Sequence, residues 1–140
     1  MKAQVKRKDL LYPDLSYTIV GSAFEVFNEL GPGHSEKNYQ KAFAVLFELK
    51  KIQFKEQVYY PLSFRNKIIG KIFLDFLVEE KIIVELKKDE RYTKVHIDQV
   101  LNYLKISNLK LAILINITKT GVDYRRIVNV EIAPSAATSN

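Results

Sequence analysis

Three charged residues stand inside two apolar segments of the chain. Asp75 interrupts the run IFLDFLV, and Glu85 and Lys87 interrupt the run KIIVELK that follows it. A charge buried in a strand costs several kcal/mol unless it is paired or bound to an ion. Carboxylates are hard oxygen ligands of the kind that suit Mg²⁺ or Mn²⁺. An ammonium beside them can hold a water or the phosphate that this water attacks. The pattern therefore indicates metal-assisted chemistry at a phosphate.

Whether the two carboxylates meet depends on the turn between the two strands. A two-residue turn at Glu79–Glu80 would send Asp75 and Glu85 to opposite faces, because side chains alternate along a strand. A three-residue turn at 79–81 pairs the two acids directly, with their β-carbons about 5 Å apart. Carboxylates that close repel each other unless one is protonated or a cation lies between them. We predict the three-residue turn, or another connection that keeps the two carboxylates on one face.

The faces of the two strands are largely apolar on both sides, as in a central strand that is covered from above and below. Alternation distributes the first strand over two faces, with Phe73, Asp75 and Leu77 on one and Leu74, Phe76 and Val78 on the other. A simpler interpretation remains open, in which the hairpin is salt-bridged and Lys87 only neutralises Asp75 or Glu85. Glu-x-Lys is a common triplet, so spacing alone does not decide between the two interpretations.

The elements that must hold these residues follow from the spacing of apolar side chains. Three segments have helical spacing and begin at Leu15, Ser35 and Thr93, and a Gly-Pro-Gly sequence at 31–33 stops the first. Strand-like segments follow at 54–64, 67–78, 81–87, 109–116 and, more weakly, 123–132. This order predicts an α/β (α+β) protein with a central mixed β-sheet, made of antiparallel hairpins plus a strand after a helical crossover and flanked by helices.

Composition limits the class of protein. The 140 residues are 47% hydrophobic, which suits one domain; we place it at 14–132, between a loose arm at 1–13 and a flexible tail at 133–140. The absence of cysteine excludes disulfides and thiolate metal sites. The charged start lacks a secretory signal and no stretch approaches the roughly 20 apolar residues of a membrane span, so we expect a cytoplasmic protein without membrane contact. The net charge of +6 is compatible with a polyanion partner or with a surplus of solvated lysines.

The hairpin resembles the core of the PD-(D/E)XK nuclease superfamily, in which an acid on one strand is followed by Glu-x-Lys on the next. Leu74 stands where that motif has its proline. The helix VHIDQVLNYLK is similar to the Gln-x-x-x-Tyr helix of several nuclease branches, through Gln99 and Tyr103. The resemblance runs from about residue 15 to residue 128 and implies a restriction-endonuclease-like core.

A narrower resemblance concerns the segment NELGPGHSEKNYQKAF. It is similar to the opening of the family called GxxExxR, with Gly33 and Glu36 at the named spacing. Tyr39 stands where the name of that family has arginine.

The superfamily resemblance implies roles for individual residues. Asp75 and Glu85 would hold the divalent ion, together with the backbone carbonyl of Leu86, and Lys87 would position the attacking water or the phosphate. The expected ion is Mg²⁺, with Mn²⁺ as the alternative.

Helical residues extend this candidate site. Related nucleases often add a glutamate from the helix before the first strand, and Glu36 stands at the start of that helix. Glu36 could fill this role, or it could simply be an acid that the helix dipole favours in a first turn. Glu25 is a weaker candidate for the same role. Gln99 would touch Lys87, a water or a phosphate, and Tyr103 would support that contact through its hydroxyl.

Three functions compete at this point. The resemblance implies a metal-dependent nuclease acting on nucleic acid, with DNA favoured over RNA. The second is a nuclease-fold binding or regulatory module without activity of its own, for which a homodimer or a partner protein supplies specificity. The third is a metal-independent single-strand-binding protein with tyrosines as stacking platforms, whose binding would survive the loss of Asp75.

Overall fold

The computed structural model describes residues 11–88 and 93–130. In these residues the elements are α1 (Pro13–Leu30), α2 (Glu36–Leu49), β1 (Phe54–Phe64), β2 (Lys67–Val78), β3 (Ile82–Lys87), α3 (Lys94–Ser107), β4 (Leu111–Ile117) and β5 (Val122–Val128). Both strands of the first hairpin have the bounds that the sequence predicts. No helix in the described ranges is long and apolar enough to cross a membrane.

The sheet follows chain order, β1-β2-β3-β4-β5. Neighbouring strands are antiparallel except β3 and β4, which are parallel because α3 carries the chain back between them. A parallel pair needs such a crossover, whereas the hairpins need only short turns. The predicted mixed sheet with flanking helices is confirmed.

Two apolar clusters cover the sheet. Side chains of α1 and α2 pack on one face, against Phe76, Val84 and alternate residues of β4. Side chains of α3 pack on the other face, against Leu74 and Ile83. The central strands β3 and β4 are buried along nearly their whole length because both faces are covered.

The first helix begins two residues earlier than its apolar spacing predicts. Pro13 is its first residue and Asp14 lies in the first turn, a favourable start because the fixed φ of proline suits that position. The last residue of the proposed arm at 1–13 thus belongs to this helix, and the division of the chain into arm, domain and tail stays a prediction. Residues 1–10 of the proposed arm and the tail at 133–140 lie outside the described residues.

The Gly-Pro-Gly segment is held by a buried tyrosine. The Tyr39 hydroxyl donates to the Gly31 carbonyl at 2.7 Å and accepts from the His34 N–H at 3.3 Å. Gly31 and Gly33 have φ of 74° and 97°, in the left-handed region that glycine adopts without strain. Ser35 then caps α2 through the Asn38 N–H. These contacts determine where α2 starts.

Candidate active site

The connection between β2 and β3 is the predicted three-residue turn. The ladder pairs Phe76 with Val84 and residue 78 with residue 82, so residues 79–81 form the loop. The Lys81 N–H donates to the Val78 carbonyl at 2.9 Å and closes it. This register brings residue 75 opposite residue 85, and the prediction is confirmed.

The regular ladder between β2 and β3 stops just before the two acids. In its place the Asp75 N–H donates to Glu85 Oε2 at 2.8 Å, and the Leu86 N–H donates to Asp75 Oδ2 at 2.9 Å. Each carboxylate thus binds the backbone of the opposite strand. This exchange places both carboxylates in the opening between the strands.

Strand β2 changes face at Asp75. Leu74 packs in the cluster under α3, whereas Phe76 and Val78 pack in the cluster under α1 and α2. The prediction that these three side chains share a face is therefore wrong. The cause lies opposite them: pairing with β1 passes over Gln57 and Asp75, and Gln57 has a left-handed φ of 48°. The irregularity turns Asp75 away from ordinary strand geometry.

Glu85 is the most unusual charge in the described part of the chain. It is 3% exposed, and its pKa is raised to about 8, first by burial and then by the neighbouring Asp75 charge. The Asp75 N–H and the Lys87 ammonium oppose this rise. A buried carboxylate with a raised pKa is stabilised when a cation arrives beside it.

Lys87 is half-buried at the end of β3. The parallel register places it opposite Asn116 of β4, which is fully buried. The ion pairs among residues 11–88 and 93–130 are Glu25–Lys50, Lys55–Glu80 and Lys94–Asp98. None of these ion pairs includes a charge of the hairpin, although the Lys87 ammonium lowers the pKa of Glu85. The salt-bridged hairpin and the metal site both stay predictions.

Two glutamines that the sequence reasoning did not consider extend the site. Gln57 Nε2 donates to Asp75 Oδ1 at 3.3 Å and to Gln40 Oε1 at 3.0 Å. Gln40 Nε2 donates in turn to Glu56 Oε1 at 3.0 Å. This chain of hydrogen bonds connects Asp75 with the first half of α2.

Two helical candidates lie within electrostatic reach of the carboxylates. Glu36, the first residue of α2, contributes to the raised pKa of Glu85. The pKa of the Tyr103 hydroxyl is raised by partial burial and by the charges of Glu85 and Asp75. The structure thus brings the first turn of α2 and the middle of α3 close to the same opening.

The other two helical candidates are not brought to the acids by a contact. Gln99 is half-buried one turn before Tyr103, and its side chain makes no hydrogen bond within the described ranges. Glu25 pairs with Lys50 at 2.5 Å, an ammonium that also donates to Ser22.

The donor set fits a hard divalent ion that keeps part of its hydration. In the described residues no three acidic or histidine side chains are grouped closely enough to form a complete metal cage. Asp75 and Glu85 supply two carboxylates that each use one oxygen for a backbone N–H. Mg²⁺ is usually bound by one or two carboxylates plus water and substrate phosphate, which matches this number of ligands.

Two solved structures are similar to this chain. The crystal structure of SSO0001 matches with a TM-score of 0.50 and 17% identity over 67% of this chain, which spans about half, 52%, of that one. An alkaline exonuclease (LHK-Exo) from Laribacter hongkongensis matches with a TM-score of 0.46 and 11% identity, over 81% of each chain. No curated protein matches in sequence.

The family comparison covers nearly all of the described chain. The family profile described as PD-(D/E)XK nuclease superfamily matches residues 13–127, from the first residue of α1 to the penultimate residue of β5. The narrower resemblance to the GxxExxR family stays a prediction. The chain belongs to the PD-(D/E)XK nuclease superfamily.

Proposed function

We propose that this protein is a metal-dependent nuclease that hydrolyses phosphodiester bonds in nucleic acid, with DNA as its preferred substrate. The observation that carries the proposal is the exchange of hydrogen bonds between Asp75 and Glu85 across the opening of β2 and β3. It holds two carboxylates together, one of them buried, at a cost that a bound cation would offset.

The proposed metal ligands are Asp75, Glu85 and the backbone carbonyl of Leu86. The carboxylate oxygens without a backbone N–H donor would bind the ion, and one of them, Asp75 Oδ1, is also oriented by Gln57 Nε2. Mg²⁺ is the expected ion and Mn²⁺ the alternative, since both prefer oxygen ligands. When bound, the ion would supply Lewis-acid polarisation of the phosphate.

Lys87 has the role of a charge that positions the reacting groups. It follows Glu85 by two residues on the same strand, so both side chains leave the sheet on the same face. Its ammonium would hold the attacking water or a non-bridging phosphate oxygen, where negative charge grows as the bond to phosphorus forms.

The helical residues have supporting roles. Tyr103 keeps its proton because burial and both carboxylates raise its pKa, and a protonated hydroxyl can donate to a phosphate oxygen. Glu36 would accept a hydrogen bond from a water near the ion, and Gln99 would contact the phosphate from the adjacent turn of α3.

The test is cleavage of labelled single-stranded, duplex and branched DNA, and of one RNA, in Mg²⁺ or Mn²⁺. Asp75→Asn and EDTA should abolish cleavage, and Lys87→Met should slow it by roughly a hundredfold to a thousandfold. Asp123→Asn and Lys88→Met are the matched controls, because both side chains are exposed and lie outside the proposed ligand set.

The outcomes separate the competing functions. Cleavage that needs metal and is lost only in the two site variants supports the nuclease and identifies its substrate. A wild-type protein that binds these oligonucleotides but never cuts them would indicate the binding module instead. Binding that needs no metal and survives Asp75→Asn, in a protein that never cuts, would indicate the single-strand-binding protein.

A further inference from the structure

The outer part of the first hairpin is an exposed ribbon that we call the hairpin tip, residues 59–73. Most of its residues are exposed on both strands. Its exposed apolar side chains are Tyr59, Leu62, Phe64, Ile68, Ile69 and Phe73. Ile68 and Ile69 are consecutive and 67% and 64% exposed, so the ribbon is apolar on both faces. A patch of this kind marks an interaction surface.

The charges of the hairpin tip are all positive. It contains Arg65, Lys67 and Lys71 and no acidic residue. Two of these cations lie near aromatic rings: the Arg65 guanidinium carbon is 5.6 Å from the centroid of the Phe64 ring, and Lys71 Nζ is 5.8 Å from that of Phe73. Cations and rings thus form one mixed surface that can contact phosphates and bases together.

The hairpin tip leads directly into the candidate active site. Phe73 precedes Asp75 by two residues on β2 and packs at 5.8 Å, centroid to centroid, against Tyr59 of β1. Each residue of a strand spans about 3.3 Å. A ligand lying on this ring pair would therefore be only one or two residues away from the carboxylates along the strand.

We propose that the hairpin tip binds unpaired nucleotides beside the bond to be cut, an inference that rests on the proposed nuclease function. Tyr59 and Phe73 would stack on bases, and Arg65, Lys67 and Lys71 would contact phosphates. The aromatic and aliphatic side chains favour unpaired strands, because a closed duplex presents the flat faces of its bases only at its ends.

A second copy of the chain is a less suitable partner for this surface. A symmetric contact between two hairpin tips would bring six cations together without one acid, and like charges placed opposite each other are destabilising. A nucleic acid strand instead offers negative charge and apolar base faces at once.

The experiment measures the affinity for a fluorescent single strand, and for its blunt duplex, by anisotropy over a range of salt concentrations. It is made in EDTA and repeated in Ca²⁺, so that cleavage does not interfere. The stacking variant is Tyr59→Ser with Phe73→Ser, and the charge variant is Arg65→Gln with Lys71→Gln. The matched control is Lys51→Gln with Lys105→Gln, which removes the same charge from exposed positions at the ends of α2 and α3.

We expect each hairpin variant to bind the single strand at least about tenfold more weakly, with a smaller reduction for the duplex. The charge variant should also lower the slope of log affinity against log salt by about 0.7 for each phosphate that the protein no longer neutralises. The control variant should bind like wild type, and thermal unfolding should show that all variants are folded.

Several results would overturn the inference. These are no single-strand binding by wild type, hairpin variants that bind normally, or a control variant that loses as much affinity as the charge variant. If the hairpin variants change the molar mass of the protein in light scattering but not its affinity for the single strand, the hairpin tip is a self-association surface.

The same panel separates this inference from the proposed function. Wild-type protein that binds single strands through the tip but does not cut in Mg²⁺ or Mn²⁺ leaves the inference standing and the nuclease rejected. Metal-dependent cutting that the hairpin variants retain in full leaves the nuclease standing and the inference rejected.

Discussion

The two halves of β2 have similar apolar content but opposite surroundings. The outer half, KIIGKIF at 67–73, leaves Ile68 and Ile69 about two-thirds exposed. The inner half, LDFLV at 74–78, buries Phe76 and Val78 completely. The difference comes from the helices, because α1, α2 and α3 cover the inner half on both faces, whereas the outer half contributes only the partly buried Ile72 to the cluster under α3. The apolar pattern of a strand therefore does not show by itself what covers it.

The boundary between these halves is where the candidate chemistry lies. Asp75 stands one residue inside the covered part, at the position where β2 changes face and the ladder to β3 stops. In the covered half a buried charge is costly unless it binds an ion. In the exposed half aromatic rings and cations are free to contact a long substrate. Binding and catalysis are thus expected to respond to different substitutions in one strand.

The largest expected effect compares two phenylalanines three residues apart. Phe76 is fully buried and its ring packs against those of Phe43, Phe47 and Phe54, so Phe76→Ala should lower the free energy of unfolding by about 3–5 kcal/mol. Phe73 is 43% exposed, and Phe73→Ala should cost less than about 1 kcal/mol. Urea titrations of both variants measure the difference. Equal losses in the free energy of unfolding would mean that Phe73 in the outer half is packed as firmly as Phe76 in the inner half.

The next effect compares neighbouring lysines at the end of β3. Lys87→Met should slow cleavage by roughly a hundredfold to a thousandfold, the range found when a group that stabilises transition-state charge is removed. Lys88→Met should have little effect, since Lys88 is exposed and follows the strand. Single-turnover rates at saturating metal separate this loss from weaker binding. Similar losses of cleavage rate in both variants would mean that the rate depends on the net positive charge near the substrate and not on the position of Lys87.

Much of the fold was predictable because local signals agreed. The bounds of the first hairpin came from alternating apolar residues and from the turn at Arg65–Asn66, both of which have a left-handed φ. The three-residue turn is predictable because its register places Asp75 and Glu85 on one face of the hairpin. The start of α1 was missed because apolar spacing ignores Pro13, whose role is conformational.

The contacts of Asp75 were less predictable for a geometric reason. If the hairpin had only its two-residue turn at Arg65–Asn66 and no irregularity, Gln57 would pair with residue 74 instead of Asp75. An irregularity between Leu62 and Ser63 shifts the register by one, so that Gln57 lies opposite Asp75. A bulge of this kind has no clear signature in the residues FKEQVYYPLSF. The position of Asn116 beside Lys87 is not predictable for a simpler reason, since a single amide in the run LAILINI is compatible with an ordinary buried strand.

The pH dependence of stability tests whether the ionised Glu85 side chain destabilises the folded protein when no metal is bound. Its folded pKa of about 8 lies above its ordinary value of 4.5, so the folded protein keeps a proton that the unfolded chain releases. This contribution to stability is complete below pH 4.5 and is lost as the pH rises through about 8. In EDTA the urea midpoint of wild type should fall across this interval, and Glu85→Gln should remove much of the fall. Glu48→Gln, at an exposed position of α2, is the control; the same slope in all three proteins would contradict the prediction.

The smallest effect concerns the glutamine that holds Asp75 from the β1 side. Gln57→Leu removes the side-chain donor to Asp75 Oδ1 but leaves the Leu86 N–H on Oδ2. Groups that orient a metal ligand are typically worth 10–100-fold in metal affinity or activity, and we expect about tenfold here because Gln57 is exposed. Cleavage measured against Mg²⁺ concentration should show a higher half-saturating concentration with a maximal rate close to wild type. Gln53→Leu, exposed just before β1, is the control.

A positioning role and a structural role give different curves in this titration. Partial unfolding would lower the maximal rate at every Mg²⁺ concentration, whereas a misdirected carboxylate is corrected when the metal is abundant. An unchanged titration would mean that the side chain of Gln57 is dispensable. The backbone irregularity at Gln57, with its left-handed φ, would then be what turns Asp75 into the opening between β2 and β3.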